Sequence, residues 1–196
     1  MSEPALRPIT LDEFLRWDDG TDTRYELIGG FPVAMAPPAP AHGIIAARIV
    51  ARLEEALRRR RPCLALVEAG ILHPNRADTF FVADIAVTCA PYHPGDQSVG
   101  EPLLLVEVLS PSTERHDRRI KLPAYQRIGS LQEIVLIDRD MPFAELYRRQ
   151  GDFWTVQSVQ GTDSMLPLAS IGVEISIAEL YEGITSGNDI GGLAGA

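Results

Sequence analysis

Between Pro102 and Ser110-Pro111 the chain reads LLLVEVL, six aliphatic residues around one acid, Glu107. So continuous a run predicts a central strand buried on both faces, and it is too short to span a membrane. FFVADIAVTCA repeats the pattern upstream, again with one acid, Asp84, among apolar neighbours. CLALVEAGIL before it reads as a further strand. From Ala41 to Arg61 the period becomes helical. Ile45, Ile49, Leu53 and Leu57 share one face, while Arg48, Arg52, Glu55, Arg58 and Arg59 fall mostly off it.

Thr10 and Glu13 have the spacing of a capping box and predict a short helix through about Trp17. RYELIGGFPVAMA predicts two short strands around Gly29-Gly30, after which Pro37, Pro38 and Pro40 break the chain. Ser112 to about Ile128 reads as a helix that Gly129 ends. LQEIVLID, AELYRR and FWTVQSV read as strands, the last two forming a hairpin, and IAELYEGI closes as a helix. The small, polar residues 186–196, SGNDIGGLAGA, are expected not to pack. The order predicts one α/β domain over residues 1–185, a mixed β-sheet flanked by helices with an added β-hairpin.

A chain of 196 residues with 45% hydrophobic content suits one soluble globule. The N-terminal residues lack the pattern of a signal peptide, and no run reaches the length of a spanning helix, so no membrane partner is expected. Cys63 and Cys89 lie far apart without metal-ligand spacing, and are expected as buried reduced thiols in a cytoplasmic protein. A net charge of −9 excludes nucleic-acid binding by bulk electrostatics, though not a local basic groove beside an acidic metal site.

Asp84 and Glu107 are one strand, a loop and the next strand apart, so adjacent strands would bring them together. Two carboxylates in one apolar site are driven toward protonation unless a cation neutralises them. Mg²⁺ takes one or two such carboxylates and keeps several waters. The alternative is that Asp84 caps a turn and Glu107 pairs with an arginine.

RYELIGG, a histidine opening the next helix (His42), VADIAV, PLLLVEVLSPST, the series Asp117, Lys121 and Tyr125, and LQEIVLID stand together in one order. In that order the chain resembles, from about Thr10 to about Ile184, the Uma family of endonucleases in the restriction-endonuclease-like PD-(D/E)XK superfamily. The resemblance implies a restriction-endonuclease-like core and a phosphodiesterase site dependent on Mg²⁺ or Mn²⁺. It makes Asp84 and Glu107 the metal ligands, Glu26 a third carboxylate and His42 a member of the site. Two positions depart from the superfamily pattern. Ala83 stands where a proline is usual, and Leu109 where a lysine is expected, with Lys121 on the following helix as its substitute.

Three arginines beside this site, Arg115, Arg118 and Arg119, are candidates for contacts to a nucleic-acid backbone, with DNA as the expected substrate. Arg58 to Arg61 complement a helix C-terminus instead, and Tyr125 is expected to pack. Asp117, Lys121 and Tyr125 fall at i, i+4 and i+8, either as an inward stripe or as a surface ion pair. A rival reading is a catalytically inactive, dimeric interaction module that kept the fold, and a weaker one is a hydrolase of another phosphoester. The late hairpin, with Tyr147, Phe153 and Trp154, predicts a homodimer that covers its edge.

Overall fold

In the computed structural model, residues 7–184 are described; the tail expected at 186–196 lies outside them. Helix α1 (Leu11–Phe14) is opened by the Thr10 capping box, both reciprocal hydrogen bonds being present. Strands β1 (Tyr25–Ile28) and β2 (Phe31–Ala34) pair across Gly29 and Gly30, whose φ of 60° and 85° only glycine adopts readily. Helix α2 (Pro40–Leu57) follows, then β3 (Leu64–Leu72), β4 (Phe80–Thr88) and β5 (Pro102–Leu109).

The predicted helix after β5 is composite. A short α3 (Glu114–His116) runs into a π-helical turn (Asp117–Lys121) and then α4 (Leu122–Tyr125). In the π turn the Leu122 N–H bonds to the Asp117 carbonyl, five residues back. Strands β6 (Glu133–Asp138), β7 (Phe143–Gln150) and β8 (Phe153–Gln160) come next. A small separate sheet, β9 (Met165–Leu168) with β10 (Val173–Ser176), precedes α5 (Ile177–Tyr181). That sheet is absent from the reading of the sequence, where MLPL and VEIS are too short and too interrupted to announce strands.

The large sheet has eight strands in the order β2-β1-β4-β5-β6-β7-β8, with β3 also pairing with β4. Only β5 and β6 pair in parallel, so the sheet is mixed, with helices on both faces. On one face Ile45, Ile49, Leu53 and Leu57 of α2 pack against Ile85, Val106 and Val135. On the other, Leu122, Ala124 and Tyr125 of α4 pack against Phe81, Leu105 and Leu136. Both faces of β5 are therefore covered, which is why its sequence does not alternate.

Two expectations need correction. Cys63 and Cys89 are joined in a disulfide. The antiparallel register pairs Leu64 with Thr88, so the next positions, 63 and 89, face each other; spacing along the chain does not reveal that pairing. The hairpin aromatics also need less cover than expected. Trp154 donates its Nε1–H to the Gln126 carbonyl (3.1 Å) under the Arg149 guanidinium, and Tyr147 donates to Glu145. Phe153 alone stays open, 75% exposed. No helix among the described residues is long and apolar enough to cross a membrane.

Candidate active site

The β4–β5 ladder stops at the pair Ile85↔Val106. One residue further on, Asp84 and Glu107 replace the missing backbone pairing with their side chains. The Asp84 N–H donates to Glu107 Oε2 (3.3 Å), and the Val108 N–H donates to Asp84 Oδ2 (2.7 Å). Across β4 the regular β3 pairing also lapses at this level, where Glu68 takes a φ of 50°. That conformation is uncommon for a residue with a side chain and loosens the sheet beside Asp84.

A helix from either face of the sheet reaches this slot. His42, in the first turn of α2, places Nε2 3.1 Å from Asp84 Oδ2. From the opposite face, Tyr125 donates its hydroxyl to Glu107 Oε1 (2.7 Å). Lys121 is 5% exposed and bridges the cluster. Its Nζ donates to the Val82 carbonyl (2.8 Å) and lies 3.0 Å from Glu26, 3.3 Å from Glu107 and 3.5 Å from Asp117. Asp117, Lys121 and Tyr125 therefore form an inward stripe. Glu26 is buried too, accepting from the Val82 N–H (2.8 Å) and pairing with His116 Nε2 (2.8 Å).

The electrostatics follow from four carboxyl groups around one ammonium. Burial pushes the Glu107 carboxyl well above the usual range; Lys121 opposes that rise, while Asp84 and Asp117 add to it. Burial likewise raises Asp117. Glu26 goes the other way: burial would raise it, but His116 and Lys121 together hold it below its ordinary value. Burial acts to lower the Lys121 ammonium, yet Glu107, Glu26 and Asp117 outweigh it and keep the charge in place.

The donor set suits a hard divalent cation. Asp84 Oδ1 accepts no hydrogen bond from the described residues and is not sealed off, and the Glu107 Oε2 contact is long. Those two oxygens could hold one ion with water filling its other positions. Among the described residues no group of three or more His, Cys, Asp or Glu is arranged to hold a metal, so the protein would supply two ligands and no closed cage.

Residues 11–178 match a family whose description reads "Putative restriction endonuclease". The chain belongs to this family, Uma2. It is 29% identical over 183 residues to an uncharacterized protein of Synechocystis sp., covering 92% of this chain and 94% of that one. It is also similar to the crystal structure of a protein from Anabaena variabilis described as a putative nuclease of DUF820. The TM-score is 0.71 at 25% identity, over 89% of this chain and 98% of the other. Uma2 membership and the shared fold make this a nuclease-like protein.

Of the expected site residues, Asp84, Glu107, Lys121, Glu26 and His42 come together. The three arginines separate. Arg118 is paired with Glu114 and Glu145, while Arg115 and Arg119 are exposed with side chains unpaired among the described residues. His116 and the hydroxyl of Tyr125 are additions. No local pattern points to His116, because its partner Glu26 lies 90 residues away. One signal went unused: of 18 lysines plus arginines, Lys121 is the only lysine. A chain that otherwise uses arginine for every positive charge has a compact ammonium only here.

Proposed function

We propose that the protein is a metal-dependent nuclease of the PD-(D/E)XK type, hydrolysing phosphodiester bonds in DNA. The observation that carries this reading is the opened β4–β5 ladder, which leaves one oxygen each of Asp84 and Glu107 available beside a buried lysine. A bound Mg²⁺ or Mn²⁺ supplies Lewis-acid polarisation of the phosphate and lowers the pKa of water. Asp84 and Glu107 would hold the ion. Tyr125, Lys121 and the Asp84 amide fix the rotamer of Glu107, and Val108 fixes that of Asp84. Lys121 keeps positive charge next to the reacting phosphate, where negative charge grows in the transition state. His42 is held to Asp84 through Nε2, which leaves Nδ1 free to face water or substrate.

A second reading has an observation in its favour. Lys121 already lies against three carboxylates, so the cluster can stand without a metal, as a retired site in a dimeric interaction module would. The open β8 edge, with Phe153 and Val156 exposed, suits the homodimer that either reading includes. One experiment separates them: titrate Mg²⁺ and Mn²⁺ calorimetrically into wild type and Asp84→Ala, then assay nicking of supercoiled plasmid. Binding and nicking by wild type alone support the nuclease. Absence of both from a folded wild type leaves the interaction module.

A further inference from the structure

A hollow of about 260 Å³ lies between the composite helix, the β1–β2 turn and the start of β4. Its charged lining is one-signed: Arg76, Arg119 and Arg127, with His73 and no acid, in a chain of net charge −9. Asp78 holds Arg76 in place through two hydrogen bonds (2.9 and 3.0 Å). The side chains of Arg119 and Arg127 are exposed and make no hydrogen bond or ion pair among the described residues. Burial and the charges of Arg76 and Arg127 hold the His73 imidazole below its ordinary pKa, hence neutral at pH 7. Its Nδ1 accepts from the Asn75 N–H, which leaves a hydrogen on Nε2 to donate.

Most of the remaining wall is apolar, formed by Ile28, Phe81, Ile120, Pro123 and Ala124, with Gly29 and Thr79 completing it. Ile120 is unexplained by the core, since it is 43% exposed while its neighbours Lys121 and Leu122 turn inward. A basic rim around an apolar wall matches one nucleotide: phosphate on the guanidinium groups, base on the hydrocarbon. Arg119 lies in the π turn and Arg127 two residues past α4, at most about 12 Å apart along the segment, so their long side chains can meet the phosphates on either side of one base. A duplex would not use the wall, because its bases face inward and only its backbone reaches a protein surface.

The hollow also adjoins the candidate active site. Phe81 lines it and packs edge-on against Tyr125, the residue that holds Glu107. From Phe81 to Asp84 is three residues, about 10 Å along the strand, within a few nucleotides of the carboxylates. We propose that the hollow receives one unpaired nucleotide of the strand being cut, with Arg119 and Arg127 on its phosphates and Ile120 against its base. This rests on the nuclease reading for its substrate class and adds to it a preference for single-stranded or unpaired segments.

The test is fluorescence anisotropy of labelled oligodeoxythymidylate, and of a duplex of equal length, in EDTA so that nothing is cut. Wild type should bind the single strand roughly tenfold more tightly than the duplex. Combined Arg119→Ala and Arg127→Ala should lose about tenfold and reduce the log–log salt slope by about 0.7 per lost contact. Ile120→Asp should weaken the single strand more than the duplex. These positions are exposed, so thermal unfolding should not move. Preference for duplex, no binding by wild type, or a double variant that binds like wild type overturns the proposal. Binding without any metal-dependent cleavage would sink the nuclease reading and overturn the link to a strand being cut, leaving the hollow as a single-strand-binding site. Normal cleavage with unchanged binding by the double variant would sink this one alone.

Discussion

Glu107 and Glu133 lie on the neighbouring parallel strands β5 and β6, each 1% exposed, and their surroundings treat them differently. Glu133 accepts from Arg148 Nε (2.8 Å), the Ala169 and Ser170 N–H groups (3.1 and 2.9 Å) and the Ser170 hydroxyl (2.5 Å). Four donors saturate it, and it ties the turn between β9 and β10 to the main sheet. Glu107 has one good hydrogen bond, from Tyr125, and two contacts of 3.3 Å. Burial alone therefore does not mark a functional acid. A buried carboxylate with spare lone pairs and acidic neighbours does, because the fold leaves its solvation incomplete. The alternative raised for Glu107 from sequence, an arginine partner, describes Glu133.

The largest effect should fall on activity. Asp84→Asn keeps the shape and removes a charged ligand, so plasmid nicking should drop by about 10²- to 10³-fold. Glu133→Gln should nick like wild type at any temperature where both are folded; equal losses would erase the distinction. Next come stability losses. Glu133→Ala leaves Arg148 and two amides without their acceptor, and should cost about 3–5 kcal/mol in denaturant unfolding. Lys121→Met should cost a similar amount, about 3–5 kcal/mol, because Glu26, Glu107 and Asp117 lose their shared cation, and cleavage should go with it. Lys121→Arg should not restore cleavage, since a planar fork cannot reproduce a point charge held among three acids.

A smaller, opposite effect is expected at Glu107. Its folded-state pKa is raised, so the folded protein binds the proton more tightly than the unfolded chain does. The stability this gives is fully present below the unfolded value near 4.5 and is lost as pH rises toward the folded one. Glu107→Gln should then be more stable than wild type at pH 7, by about 1–2 kcal/mol in denaturant unfolding, with the gain shrinking as the pH is lowered. Glu133→Gln should show no such gain. The smallest signal is chemical: amine-directed acylation of Lys121 should be slow in the native state and rapid after unfolding, because the ammonium is buried and its pKa is raised. Fast native labelling would contradict the inward stripe.

The large elements were legible because each repeats a local rule. The α2 face, the capping box at Thr10 and the apolar strands with one acid apiece follow from local pattern alone, and that pattern also located Asp84 and Glu107. Long-range pairings were not legible. Glu26 with His116 depends on how the composite helix docks on the sheet, and Cys63 with Cys89 on sheet register, across 90 and 26 residues that spacing does not encode. The β9–β10 sheet was hidden by its short strands and by Pro167 within one of them.

The π turn at Asp117–Lys121 carries one residue more than an α-helix would need between His116, which holds Glu26, and Tyr125, which holds Glu107. Drawn into regular α geometry at its present length, the segment would turn its two halves by about 100° against each other. His116 and Tyr125 would then no longer both reach their glutamates, while the apolar strands and α2 would be untouched. Loss of one codon there, that of Arg119 for example, would instead let a plain α-helix hold both residues on their glutamates. The bulge is thus how the helix absorbs one extra residue without turning the site out of register.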